Sequence, residues 1–318
     1  MTPYLGTGRA GLWVRPANLH YRSVAYTRVG DLLLGLTALA LLRGRVQELG
    51  GKRYSDARVN DLRRILDHWG EPALQRDANW QPAAAADGYA VWAQSYDDEA
   101  NPLIELDQAT LAPLIARHAS GAALDAACGT GRWSKFLAER GFAVIGVDES
   151  PEMLERATSK LPSVDFRRAD VRSLPVGSES LDLVVCSLAL THLPELDNVM
   201  AEFARVLRPG GAAIVSNIHH LSQPLGGSAE VVLPDGRLVR LPLSLFLPSD
   251  YVNAAVNAGF TIRVCIEACW PDAGQQYGGP TAQEWCAEAA HVAYTSTPGL
   301  IALELVKPVG HTAHGAGV

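Results

Sequence analysis

From residue 122 onward the chain alternates short apolar runs with amphipathic stretches, and this pattern restricts the fold more than any other feature. The apolar runs are 122–127 (AALDAA), 142–148 (FAVIGVD), 164–170 (VDFRRAD), 181–189 (LDLVVCSLA) and 211–217 (GAAIVSN). Helical segments start near Arg132, Pro151 and Pro194. Runs of strand length bounded by helical spacing predict right-handed βαβ units around a parallel sheet. After the fifth run, 229–243 (AEVVLPDGRLVRLPL) reads as a hairpin around Pro234, Asp235 and Gly236. A helix over 249–260 follows, then strands over 261–270 and 300–308. The expected class is α/β: a seven-stranded, mostly parallel sheet with helices on both faces and a hairpin insert after strand five.

The N-terminal third has a different rhythm. Residues 29–49 are apolar on most faces and need cover on most faces. In 56–69, Val59, Leu62, Ile65, Leu66 and Trp69 recur at helical spacing. Residues 81–88 (QPAAAADG) read as a short connection, and 88–96 as a helix with Tyr89, Trp92 and Tyr96 on one face. The expected division is a helical lid or dimerisation region over 1–85 and a sheet domain over 86–318. Within the latter, 221–250 forms an insert on the substrate side.

Composition narrows the partners. At 318 residues, 48% hydrophobic and with a formal charge of −7, the chain can bury a sizeable core and lacks the basic balance that a nucleic-acid backbone favours. The 11-residue run 32–42 is too short to span a bilayer, and charged residues flank it. Five cysteines at irregular spacing predict a reducing, cytoplasmic setting, with no disulfide framework and no metal site; Cys265, Cys269 and Cys286 are expected to be buried small hydrophobes. Few lysines, many arginines and much alanine suggest a GC-rich bacterial source.

The segment 122–141, AALDAACGTGRWSKFLAERG, ends a strand and opens a helix through a glycine turn. Such a loop serves several ligands. A phosphate loop of the Walker type needs Gly-Lys-Ser/Thr, whereas Arg132 and Trp133 follow Gly131. A nicotinamide loop needs GxGxxG; Gly129, Gly131 and Ser134 come close, and Asp148 at the next strand end suits a ribose. Asp125, just before the turn, favours a cationic ligand over a pyrophosphate, since a carboxylate attracts the first and repels the second.

With these residues in register, the sequence resembles a class I S-adenosylmethionine-dependent methyltransferase of Rossmann-like fold. DAACGTG stands for its first motif, with Ala127 in place of the usual first glycine. The resemblance implies that Asp125, Gly129 and Gly131 hold the amino-acid end of S-adenosylmethionine and that Asp148 holds the ribose hydroxyls. Met153 would lie against adenine, with Asp170 and Val171 near its amino group, and Ser187 in the loop under the methionyl part. It further implies that Tyr89 and Tyr96 lie against the cofactor, and that RVLRPGG (205–211) precedes strand five. S-adenosylhomocysteine would be the product.

Methyl transfer needs acceptor, methyl and sulfur in line and an electron-rich acceptor, for which histidine is a suitable base. His192, at the end of strand four, and His219 and His220, at the end of strand five, are the candidates. The insert and the N-terminal helices, rich in Leu, Trp and Tyr, are expected to close over the cofactor around a small apolar or aromatic acceptor of phenol or indole type. The opening at 216–219 (SNIH), the insert and the helix that begins Ser249-Asp250-Tyr251 resemble those of bacterial small-molecule methyltransferases of specialised metabolism. A homo-oligomer through the N-terminal helices is a further expectation; a membrane or nucleic-acid partner is not. Two other readings stand beside this one: a nicotinamide-dependent oxidoreductase and a non-catalytic S-adenosylmethionine-binding protein.

Overall fold

A computed structural model describes residues 28–46, 50–76, 81–82, 85–93, 96–97, 101–222, 225, 230–232, 238–241, 243–272, 277–295 and 297–309. The N-terminal helices are α1 (Val29–Val46), α2 (Gly51–Asp67) and α3 (Pro72–Gln75). A short strand, β1 (Gln81–Pro82), falls where a plain connection was expected, and α4 (Ala85–Trp92) follows it. Helix α5 (Pro102–Ile115), which the apolar pattern did not reveal, starts at an Asn101 side chain that accepts from Leu103 N–H. The alternating core is β2 (Ala122–Ala126), α6 (Arg132–Ala138), β3 (Ala143–Asp148), α7 (Pro151–Lys160), β4 (Asp165–Arg168), β5 (Leu181–Ser187), α8 (Asp197–Val206) and β6 (Leu207–Ile218). Then come the hairpin strands β7 (Glu230–Val232) and β8 (Leu238–Arg240), α9 (Pro248–Asn257), β9 (Thr261–Cys269), α10 (Gly279–Tyr294) and β10 (Pro298–Val306).

The main sheet has seven strands in the order β4-β3-β2-β5-β6-β10-β9. Strands β2 to β6 pair in parallel, and β10 runs antiparallel between β6 and β9. Chain order therefore reverses between β2 and β5, where side chains at the strand ends face a crevice. One face of the sheet is covered by α8 and α9 through Met200, Phe203 and Tyr251. The other is covered by α5 and α6 through Leu111, Trp133 and Leu137. The expected turn at 205–211 is absorbed into a long β6, bent at Gly210 with φ 86°.

Helices α1 to α3 found their cover at α10. Leu33, Leu36, Ile65 and Leu74 pack with Ala282, Trp285, Ala289 and Ala293. Small alanines on α10 let an almost wholly apolar α1 approach closely, and this satisfies its need for burial away from the crevice. Arg58, 3% exposed, ties α2 to α10 through Glu288 at 2.6 Å. The hairpin over 229–243 is present as β7 paired antiparallel with β8, and β8 also pairs in parallel with β1. Its expected turn at 234–236 lies outside the described residues, as do residues 1–27. Among the described residues no helix is long and apolar enough to cross a membrane.

Two cysteine expectations need correction. Cys286 is buried, but Cys265 and Cys269 are exposed. They share the more exposed face of β9 with Arg263 and Glu267, because side chains two apart on a strand point the same way. No group of side chains able to hold a metal ion occurs among the described residues.

Candidate functional site

The ends of β2, β3, β4 and β5 open into a cleft of about 850 Å³, its mouth included. Its walls carry Ala127 and Gly129 from the glycine loop, Asp148 to Ser150 and Met153 from the β3–α7 turn, and Ala169 to Val171 after β4. Ser187 to Ala189, His192 and Leu193 come from the exit of β5, and Tyr89 and Tyr96 from α4 and the turn beyond it. Of the residues expected at the site, Tyr89, Tyr96, Gly129, Asp148, Met153, Asp170, Val171, Ser187 and His192 thus meet at one cavity. No described residue of α1 to α3 lines it.

The loop is built for close approach. Gly129 has φ 53° with nothing within 4 Å of the place a Cβ would take, so a ligand can lie against its backbone. Ala127 and Leu188 are both left-handed, at φ 56° and 58°. For residues with a Cβ this costs on the order of 1 kcal/mol each, strain of a kind that gathers at ligand sites. Asp148 Oδ2 accepts from Gly129 N–H at 2.8 Å and Oδ1 from Ser150 N–H at 2.9 Å. These bonds fix the carboxylate at the cavity wall, while burial raises its pKa and the backbone donors oppose that rise. Asp170 is held by Arg172, whose Nε and Nη2 lie 2.9 and 2.6 Å from Oδ2.

Asp125 and Gly131 stand behind the loop and not in its wall. Asp125 is buried and accepts from Ser134 Oγ at 2.7 Å. Burial pushes its carboxyl up to about 6, against the opposing pull of the Ser134 bond and the Arg132 charge. The unfolded chain gives up this proton near pH 4 and the folded chain near 6, so stability falls as pH rises through that window. The loss is complete above it and amounts to roughly 3 kcal/mol. Asp125→Asn should flatten the stability curve between pH 4 and 6 relative to the wild type. Urea midpoints taken across that range would check it, and parallel curves for the two proteins would refute it.

His219 and His220 do not reach the cleft. His219 is 1% exposed; its Nδ1 accepts from Leu221 N–H at 3.2 Å and its Nε2 lies 2.8 Å from Glu267 Oε1. With Nδ1 accepting, Nε2 carries the proton and donates to Glu267. His219 N–H bonds to Gly299 O at 2.9 Å, and the ring turns toward β9, away from the switch point. The His220 ring lies against it at a tilt of 43°, centroids 4.3 Å apart. His192 remains in the wall, Nε2 2.7 Å from the Tyr89 hydroxyl, the rings edge to face. The insert braces this pair. Val231 and Leu241 pack on Tyr89, Val91 and Trp92, and Ser244 N–H bonds to Thr191 O at 2.6 Å beside His192.

Asp97 and Asp107 were not anticipated. Asp97 accepts from Thr130 Oγ1 and Lys160 Nζ, both at 2.7 Å, and so fastens the Tyr96 turn to the glycine loop and α7. Asp107, 0% exposed on α5, accepts from Arg132 Nη2 at 2.7 Å, Ser187 Oγ at 2.8 Å, Trp133 Nε1 at 3.1 Å and Ser216 Oγ. Asp97 follows Tyr96 directly in the aromatic segment; Asp107 had no local signal, being one acid on a helix.

The donor set favours a ligand with hydroxyls and positive charge over a pyrophosphate. Gly129 N–H is already given to Asp148, and Asp148 and Asp170 make the wall acidic. Comparison with known proteins agrees. A family described as Methyltransferase domain matches residues 124–215. A malonyl-[acyl-carrier protein] O-methyltransferase of Hamiltonella defensa is 33% identical over 47% of this chain and 57% of its own, so the chain spans less than two thirds of that relative. A demethylmenaquinone methyltransferase of Clavibacter sepedonicus is 32% identical over 60% of this chain and 75% of its own. In fold, a chain from the solved complex of the Haloferax volcanii Trm112 methyltransferase activator matches 69% of this chain and 97% of itself, with TM-score 0.53 and 20% identity. A parallel sheet ordered about the β2–β5 switch, strand-end acids at one cleft and this extent of likeness lead to one assignment: the chain belongs to the class I S-adenosylmethionine-dependent methyltransferases.

Proposed function

We propose that the chain transfers the methyl group of S-adenosylmethionine to a small, largely apolar or aromatic acceptor, by O-, N- or aromatic C-methylation, in specialised metabolism. The observation that carries this reading is Asp148, fixed by two backbone donors at the end of β3 and facing the cleft beside an open Gly129. In this reading Asp148 accepts from the ribose hydroxyls, Met153 and Val171 flank the adenine, and Ser187 underlies the methionyl part. Asp125 acts from behind the loop, by holding α6 through Ser134. The acceptors named for the relatives, a malonyl carrier protein and demethylmenaquinone, differ from each other, so the choice of acceptor rests on this chain's own walls. Leu188, Ala189, Leu193 and the Tyr89 ring offer an apolar surface there.

When bound, the cofactor supplies an electrophilic methyl on a positively charged sulfur. The protein's part is alignment, exclusion of water and one proton path. Burial raises the Tyr89 hydroxyl well above the usual phenol range, so it stays protonated and donates to His192 Nε2. Tyr89 hands this proton to Nε2 as it takes one from the acceptor, leaving His192 as the final base. Calorimetric titration with S-adenosylhomocysteine, with NAD as control, tests the reading. Binding of the former and not the latter is expected; binding of NAD alone would overturn it.

A further inference from the structure

Strand β9 ends the seven-stranded order, and among the described residues no strand pairs with its free edge. Its side chains alternate between exposed and half-buried along all nine residues, whereas those of its neighbour β10 are buried almost throughout. Such an edge presents a row of unpaired backbone N–H and C=O groups, a template for another strand. Proteins blunt these edges with lysine, proline, short length or a bulge. Strand β9 has neither lysine nor proline, and its one bulge sits near its start. Ile262 and Val264 pair with consecutive residues of β10, Leu305 and Glu304, which leaves Arg263 as the extra residue. From Val264 to Ala268 the register is regular.

The sequence of this edge is complementary to itself. Read outward from Cys265 in both directions, Val264 answers Ile266, Arg263 answers Glu267 and Ile262 answers Ala268. We infer that β9 pairs antiparallel with β9 of a second copy of the chain, about a two-fold axis through Cys265. In that register Val264 of each copy lies opposite Ile266 of the other. Both pack on the core layer that holds Leu300 and Ala302, so the pairing extends an apolar layer across the axis. Arg263 and Glu267, whose side chains are 53% and 49% exposed, form two ion pairs related by the axis. Each is already anchored in its own copy, Arg263 by Glu304 at 2.9 Å and Glu267 by His219 at 2.8 Å, which reduces the freedom it loses on pairing. The charges also select the direction, since parallel pairing in register would set Arg263 beside Arg263 and Glu267 beside Glu267. Strand β9 lies three strands beyond β5, so this contact leaves the clefts of both copies open.

Sedimentation of the full chain over a range of micromolar concentrations reads the oligomeric state, and a dimer is expected. Cys265 is exposed, so Cys265→Glu should preserve the fold while it sets two like charges opposite each other at the axis. It should yield monomer where the wild type is dimeric. Cys269→Glu, at the end of the ladder, should stay dimeric, and Glu267→Gln should weaken the dimer by about two- to tenfold. Cross-linking gives an independent readout. Across the axis the two Cys265 Cα atoms lie about 5 Å apart, whereas the two Cys269 would be roughly 27 Å apart. A short bis-maleimide should therefore join two copies of Cys269→Ser through Cys265, and should join none of Cys265→Ser. A monomeric wild type would overturn the proposal. So would a dimer that Cys265→Glu leaves intact, or one that cross-links only through Cys269, since either puts the contact on another surface, such as the N-terminal helices.

Discussion

Asp148→Ala should weaken S-adenosylhomocysteine binding by about 1.5–3 kcal/mol, roughly 10- to 150-fold. The carboxylate does two things at once. It presents oxygens to the cleft, and it ties the glycine loop to the end of β3 through Gly129 N–H. Removing it takes away a charge-assisted acceptor and frees the backbone against which the ligand lies, so the loss should fall in the upper part of that range. Asp170→Ala makes a useful comparison. Its carboxylate is already committed to Arg172 through Nε and Nη2, and it is partly exposed, so a smaller loss is expected. Calorimetry on both variants measures the difference. An unchanged affinity in Asp148→Ala would remove that residue from the ligand site, whatever the family resemblance implies.

His192→Ala should lower turnover by about 10²- to 10⁴-fold while leaving S-adenosylhomocysteine affinity near that of the wild type. The prediction follows from position. His192 is the histidine in the cleft wall, bonded to a tyrosine whose proton burial retains. Tyr89→Phe keeps the ring packing against Trp92 and the insert but deletes the hydroxyl, so it should reproduce much of the loss in turnover with little loss of stability. His219→Ala is the contrasting case. Its ring is buried and donates to Glu267, so its removal should lower the melting temperature and leave turnover per folded molecule unchanged. Single-turnover rates with an acceptor found by screening phenols and indoles would separate the three. Equal rates in His192→Ala and His219→Ala would end the case for His192 as the base.

Much of the site was legible because its parts are local. A strand that ends in an acid, a glycine turn after a buried strand and a helix opened by proline are each written within a few residues, and their order along the chain implies a parallel sheet. Asp148 could therefore be placed at a strand end, Gly129 in the turn after a strand and Met153 in the helix that follows one, before any contact was known. The same locality led to errors. His219 and His220 close a strand just as His192 does, and nothing in their neighbourhood tells which way the ring will turn. That was decided by β9 and β10, which come some fifty and eighty residues later, pair beside β6 and bring Glu267 to His219. The placement of α1 to α3 was settled in the same manner. Their apolar surface demanded cover, but only the alanine face of α10 determined where.

The sequence by itself determined the strand–helix alternation, the strand-end acids, the glycine loop and the sign of charge around it. Each depends on residue type and short-range spacing, which the backbone's own periodicities turn into geometry. Tertiary structure alone decided which histidine meets the cleft, that Tyr89 meets His192 from 103 residues away, and that Asp107 gathers Arg132, Ser187 and Ser216. It also decided that Cys265 and Cys269 face outward. These depend on how whole elements dock. Docking is set by the sum of buried apolar surface, and a single polar side chain does not announce in sequence which buried partner it will find.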